Sequence, residues 1–373
     1  MPPASALAMR DVRMAVPAIA RRHGCAGRRA VRIALTLACA TSGGYLAEMA
    51  GLPAGWLSGS LLFVTAITLG GFSSEFPRTL SPVVYVIVGI YSGSGITGDI
   101  LGQVHAIPFS IGLLLFSVVL VMLASYGILR KVYGWDAPTS LLASLPGALP
   151  FVMATAEGTG ADLKKVAVSQ TLRVLALVQI IPLATLLVDL PQAPRQVSAS
   201  AATASQCLLL GCAAISAGVL LERLRLPGGL MLGALLASAA LSVAGIVQIA
   251  PPDGLMIPAV IAMGAMTGSR LRPEDRRWLP AILKPVLVVL AVSIAISGLF
   301  AAGASAIFRV SFVQSLLAYS PGANDALIIV AYALNIDPLY VAAHHLARFL
   351  GITLVLPALA RKAAPQPAGT ETT

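Results

Sequence analysis

The sequence predicts an all-α polytopic membrane protein built from two inverted-topology repeats, each of about five to six helical segments and each carrying a Pro-Gly broken helix. Three observations predict it. The 373 residues are 57% hydrophobic and 11% charged, with a mean hydropathy of +0.88, whereas about a quarter of residues are charged in soluble domains. The chain also repeats itself: PGA at 146–148 returns at 321–323, and Asp162, Arg173 and Pro182 match Asp337, Arg348 and Pro357, all 175 positions apart. LPAGWLSGSLL from Leu52 matches LPGGLMLGALL from Leu226 at an offset of 174. The third observation is the placement of the basic residues, which decides the topology.

Apolar stretches run over about 31–47, 54–71, 82–96, 106–129, 137–157 and 163–189, and again over about 206–222, 229–247, 254–269, 279–307, 311–335 and 338–360. A bilayer needs roughly 17–25 residues of helix, so several are complete spans and others marginal. The division follows: a basic cytoplasmic tail over 1–30, a first membrane repeat over 31–190, a second over 206–361, and a tail over 362–373. An Arg-rich start before an apolar run suits a signal peptide, but the duplicated partner of that run is internal, so it reads as a retained span.

With six crossings per repeat, 14 basic residues fall on one side and nine on the other. With five crossings and a re-entrant Pro-Gly segment, the split is 21 to two, leaving only Arg195 and Arg309 outside and Arg173 and Arg348 within spans. The positive-inside rule favours the second arrangement, with both termini cytoplasmic. This pattern also accounts for the net charge of +10 without nucleic acid, because seven of the 25 basic residues crowd into Arg10–Arg32 and most others sit in short loops.

A Pro-Gly pair removes a backbone donor and loosens the chain, so a helix breaks there. In LLASLPGALPFVMATAEG and LLAYSPGANDALIIVAYAL, Pro146 and Pro321 read as first residues of new half-helices, with Gly147 and Gly322 beside them and Ser320 as an N-cap. Broken backbone at membrane depth is tolerated where protein or a water-filled cavity satisfies it, which places both breaks at an interior site. The bland alternative is a kink that only shapes packing.

The second copy adds Asn324 and Asp325 where the first has Leu149 and Pro150. An intramembrane aspartate is a candidate proton or cation group, against the alternative of a packing bridge with an arginine. Arg173 and Arg348, each about ten residues into a span, cost on the order of 2.5–3.5 kcal/mol unless something receives them. They either neutralise half-helix C-terminal carbonyls or hold an anion, which the planar guanidinium suits. His344 lies four residues before Arg348 on the same helical face, as Ser169 does before Arg173, while His345 matches Gln170. The candidate substrate or ion site is therefore Pro146, Gly147, Ser320, Pro321, Gly322, Asn324, Asp325, Arg173, His344 and Arg348. Glu157, Asp162 and Asp337 border spans and read as caps or loop residues, and Glu48 and Glu222 as parts of a shared turn.

No cofactor or metal is expected. The four histidines, His23, His105, His344 and His345, are too scattered for a copper site, and the cysteines at 25, 39, 207 and 212 lack metal spacing. No nucleophile–base set appears, so the chain does not read as an enzyme. No soluble stretch is long enough for a DNA-reading module. Its expected partners are the lipid bilayer and a small-molecule or ion substrate, with self-association into a homo-oligomer open to it.

The paired Leu-Pro segments, the loop MGAMTGSRLRPEDRRWLP and the two Pro-Gly-Ala helices resemble the AbrB-duplication membrane family over nearly the whole chain. Members of that family are labelled variously as regulators of gene expression or ammonia monooxygenases. The resemblance implies a bacterial inner membrane. SPGANDALIIVAYALNIDP from Ser320 and SLPGALPFVMATAEGTGAD from Ser144 are more distantly similar to the bile acid/sodium symporter and cation/proton antiporter superfamily. That likeness implies two broken helices crossing at an ion and substrate site, with Asn324 and Asp325 at the crossing. It also implies that each broken helix passes through the membrane, which opposes the re-entrant reading from charge. The expected function is a secondary transporter or exchanger of a small organic anion or metabolite coupled to protons or sodium. The alternative is a membrane-embedded regulator of expression without DNA contact.

Overall fold

The structure is a computed structural model that describes residues 4–94, 107–147, 149–156, 159–187, 203–226, 228–247 and 253–363. Side chains are described from Gly27 onward, except those of residues 149, 150, 154, 155, 187, 253, 324, 357 and 360–363. Among the described residues all regular structure is helical. The first copy holds α1 (Ala4–Met49), α2 (Gly55–Leu69), α3 (Ser81–Ser94), α4 (Ile107–Gly127), α5 (Ala137–Ser144), α6 (Leu149–Ala156) and α7 (Leu163–Ala184). The second holds α8 (Ala204–Arg223), α9 (Gly229–Val243), α10 (Asp253–Gly268), α11 (Leu279–Phe308), α12 (Phe312–Tyr319), α13 (Asn324–Ala333) and α14 (Pro338–Ala363), in matching order. Among the described residues six stretches, one each within α1, α7, α8, α11 and α14 and one running from α4 to Val132, are long and apolar enough to cross a membrane. This is a multi-pass membrane protein whose apolar helices suit a lipid bilayer.

The copies interlock rather than sit side by side. Within each, the first two helices pack together, α1 on α2 and α8 on α9; α2 then packs on α10 of the other copy, and α9 on α3. Without a strong hydrophobic drive in lipid, such helices rely on close backbone approach over small residues. A Cβ on Gly59 would lie 2.1 Å from the Gly43 carbonyl oxygen, and one on Gly233 2.4 Å from that of Ala217, the same contact in each copy. Opposite this six-helix group, α4 packs on α11, α5 on α7 and α12 on α14, forming a second body around the breaks.

Hydrogen bonds fix the course of the broken segments. Asp162 N–H donates to Thr139 Oγ1 at 2.8 Å, joining the start of α7 to the start of α5, while Arg173 further along α7 donates to Leu145 O at the end of α5. Helices α5 and α7 therefore run parallel, and α6 must lead the chain back to the level at which α5 entered. The second copy has the same register: His345 and Arg348 of α14 bond Leu317 O and Ser320 O of α12, each 28 residues back. Each Pro-Gly segment is thus a helical hairpin, as the charge count predicts, and does not pass through as the distant likeness implies.

Left-handed backbone recurs at the copy spacing. Gly51 and Arg225, Ala54 and Gly228, and Gly71 and Gly245 pair at 174 positions; Gly134 and Arg309, Gly147 and Gly322, and Gly160 and Asn335 pair at 175. The turns were thus duplicated along with the helices, even where the residue has since changed.

Candidate functional site

Both breaks are built by the same steps. Asp136 Oδ1 accepts from Thr139 N–H at 2.8 Å to cap α5, and Ser311 Oγ accepts from Gln314 N–H at 3.1 Å to cap α12. After each short helix one residue turns extended, Leu145 at ψ 127° and Ser320 at ψ 133°, where it is followed by Pro and then Gly. Gly147 and Gly322 take φ of 96° and 140°, values that bar a side chain. The return helices start later than the sequence suggests, at Leu149 and Asn324 rather than at the prolines, because the positive φ of each glycine delays the helical turn. Ser320 is accordingly not an N-cap. It ends α12, its hydroxyl donating back to Leu316 O at 2.6 Å, and Ala323 in left-handed conformation opens α13 without a side-chain cap.

The intramembrane arginines meet these ends. Arg173 Nη2 donates to Leu145 O at 2.5 Å, and Arg348 Nη1 donates to Ser320 O. Each guanidinium thus satisfies a carbonyl that the end of a half-helix leaves bare, the first of the two roles open from sequence. One step nearer the start of the same helices, Gln170 Nε2 donates to Leu142 O at 3.1 Å and His345 Nε2 to Leu317 O at 3.0 Å. A carbonyl only accepts, so His345 carries its proton on Nε2 and replaces an amide.

Between the two helical bodies lies a cavity of about 980 Å³. Gly147 of one break and Gly322, Ala323 and Asp325 of the other reach it, together with Arg173. Arg173 is 4% exposed, its Nε has no hydrogen-bond partner, and a Cβ on Gly322 would stand 3.6 Å from that nitrogen. Asp325 faces the opposing body, since a Cβ on Gly228, in the α8–α9 turn, would lie 3.0 Å from its Oδ1. The apolar wall comes from Phe151, Val174, Leu230, Met263 and Phe349, with Tyr85 adding a hydroxyl. The rim holds Arg78, Glu222, Arg225 and Arg270, at or just beyond helix ends.

The structure thus brings Gly147, Arg173, Gly322 and Asp325 to one cavity and buries Pro146, Ser320 and Pro321 beside it. The side chain of Asn324, like all of Glu157, lies outside the described residues. His344 and Arg348 do share a face of α14, but that face turns away from the cavity toward α4 and α12. His344 is fully buried: its Nδ1 donates to Tyr340 O at 2.8 Å, and its Nε2 accepts from Ser110 Oγ at 2.8 Å. Ser110 Oγ in turn accepts from Tyr340 Oη at 2.6 Å, and Tyr319 Oη donates to Ser110 O at 2.7 Å. This closed set ties α4, α12 and α14 together. Sequence reasoning missed Arg78, Tyr85, Arg225 and Arg270 as site residues; the arginines had a sufficient explanation as loop charges. Among the described residues no group of three or more His, Cys, Asp or Glu could hold a metal ion.

Comparison with known proteins agrees with the duplicated architecture. A family model described as "Transition state regulatory protein AbrB" matches residues 4–101 and 71–364. "Putative regulator AbrB" of Escherichia coli (strain K12) is 30% identical over 318 residues, covering 83% of this chain and 90% of that protein. "Uncharacterized protein YhjN" of Bacillus subtilis (strain 168) is 25% identical over 352 residues, covering 86% of this chain and 90% of its own length.

Proposed function

The chain belongs to the AbrB family of membrane proteins, and we propose that it is a secondary transporter or exchanger of a small organic anion or metabolite coupled to protons or sodium. One observation carries this reading: a cavity of about 980 Å³ runs from an arginine-bearing rim to both helix breaks, where a buried guanidinium and a carboxylate face it. In such proteins the site forms where two repeats meet and their helices are interrupted. The substrate's acidic group sits at Arg173 and the start of α13, drawn by the guanidinium and the positive end of the helix. Asp325, which touches the α8–α9 turn of the other body, takes and releases the coupling ion as the two bodies move. Pro146, Pro321 and Ser320 shape the breaks, and Asn324 stands beside Asp325 in the sequence. Arg348 and His344 hold the second hairpin to α14 and α4.

The reading places the protein in a bacterial inner membrane with both termini and the arginine rim cytoplasmic, because 21 basic residues then lie on that side. The regulatory wording attached to the E. coli relative is compatible with transport, since moving a signalling metabolite changes expression without DNA contact.

Purified protein in proteoliposomes, assayed for uptake of organic anions under imposed pH and sodium gradients, tests the reading. Asp325→Asn should abolish gradient-driven uptake while the protein still folds. Uptake with unchanged ion dependence in that variant would remove Asp325 from the mechanism.

A further inference from the structure

The cavity carries its positive charge in two places. Deep inside, Arg173 lies ten residues along α7 from its start at Leu163, on the order of 15 Å by helical rise. At the rim, Arg78 precedes α3, Arg225 follows α8 and Arg270 follows α10, so three arginines from three chain segments share one opening. Among the described residues none of these three has a carboxylate within 4 Å; the salt bridges there join Arg29 and Arg32 to Glu75, and Lys165 to Asp162. Four arginines and two carboxylates, Glu222 and Asp325, line the cavity, leaving two positive charges over even with both acids ionised. Between the charged zones the wall is largely apolar, with Phe151, Leu230 and Met263 among its residues.

Arg225 is the most telling member of the rim. It sits at φ 59°, a left-handed conformation that resists side chains, at the position where the first copy has Gly51. The turns are the same: Leu52 N–H donates to Ala47 O at 3.0 Å and Leu226 N–H to Leu221 O at 3.1 Å. Arg309 makes a similar exchange with Gly134, but away from the cavity. A strained residue held at a cavity rim points to a use for its side chain.

We propose that the substrate is a dianion with two acidic groups separated by an apolar spacer, one group held deep by Arg173 and the other read at the rim by Arg225 with Arg78 and Arg270. This rests on the transport reading and makes Arg225 a specificity-determining residue. A monoanion leaves the rim charges unneutralised and forgoes one charge-assisted contact, so it binds more weakly.

The test compares acids of equal carbon number, succinate with butyrate, adipate with hexanoate and terephthalate with 4-methylbenzoate. Each would be titrated against the full-length protein in detergent by thermal shift and then used to compete for uptake in proteoliposomes. A ligand that binds the folded state raises its apparent stability. The diacid of at least one pair should bind roughly tenfold or more tightly than its monoacid, as one charge-assisted hydrogen bond supplies. Arg225→Gly restores the residue that the first copy uses in the same turn, and should melt no lower than the parent while losing most of the diacid preference. Arg270→Gln provides a second variant with the same expected loss. Equal binding within every pair, or a preference that survives both substitutions, would overturn the dianion proposal and leave the transport reading standing. Absence of binding and uptake for all six acids would overturn both.

Discussion

The two Pro-Gly breaks share one frame and differ in what it carries. In both, an N-capped short helix ends on an extended residue whose carbonyl is taken by an arginine 28 residues later, and in both a glycine of positive φ turns the chain. Yet the first break continues with Leu149 and Pro150, and the second with Asn324 and Asp325. The α8–α9 turn that faces the second break differs likewise from its own copy. It has Gly228 against Asp325 where the α1–α2 turn has Ala54, and Arg225 where that turn has Gly51. Duplication supplied the scaffold twice; Arg225 and Asp325 stand in the second copy alone, while Arg78 and Arg173 come from the first. What the repeats retain in common holds the hairpins up, and much of the cavity's remaining charge, at Arg225 and Asp325, lies where they diverge.

Four variants break or sharpen this contrast. The largest effect is expected from Asp325→Asn, which removes the charge that distinguishes the second break. Gradient-driven uptake should cease, while the melting temperature should shift by no more than the equivalent of about 1 kcal/mol because the side chain's shape is kept. Next comes Arg348→Ala, which strips a shared support rather than a distinguishing group. It leaves the Ser320 carbonyl without its donor and empties the volume of a side chain that is 1% exposed. A loss of about 3–4 kcal/mol should appear in thermal melting, combining an unsatisfied carbonyl with a cavity. Gly228→Ala gives the second turn the residue found in the first. The backbone accepts alanine at this φ, as Ala54 shows, at a cost of about 1–2 kcal/mol. The new Cβ would press on Asp325, so uptake should fall further than stability does. The smallest effect belongs to the exchange of Gln170→His with His345→Gln, since each side chain donates to the carbonyl 28 residues before it. The double variant should melt within about 0.5 kcal/mol of the parent.

The repeat, the breaks and the hairpin course were legible in the sequence because each leaves a local or statistical trace: matched motifs, a Pro-Gly pair, and a lopsided distribution of Lys and Arg. The carbonyl-capping role of Arg173 and Arg348 was legible as one of two options; their hydrogen bonds show it for both, while Arg173 also lines the cavity and keeps an Nε without a partner. The rim of the cavity was hidden for a different reason. Arg78, Arg225 and Arg270 already had a complete explanation as positive-inside loop charges, so nothing in the sequence asked for a second one. His344 illustrates the opposite error of inference. Helical spacing correctly groups it with Arg348, but spacing gives a shared face without saying where that face looks. Its hydrogen-bond partner Ser110 of α4, and Tyr319 of α12, which bonds Ser110 and lies ring to ring with His344, are far away in sequence. The left-handed arginine at 225 had a faint signal, the alignment of Arg with Gly51, that becomes meaningful only once the backbone angle is known.

The interlocking of the copies has a consequence for their origin. Helix α2 rests on α10 and α9 on α3, so each copy completes its packing on the other, and half the chain would expose these faces to lipid. Before the gene doubled, a single-copy ancestor could have built this architecture only as a pair of separate chains inserted in opposite orientations, each lending its helices to its twin. Fusion into one polypeptide fixed which half points which way. From then on the halves were free to lose their resemblance, and a symmetric assembly could acquire a mouth lined with arginine on one face alone.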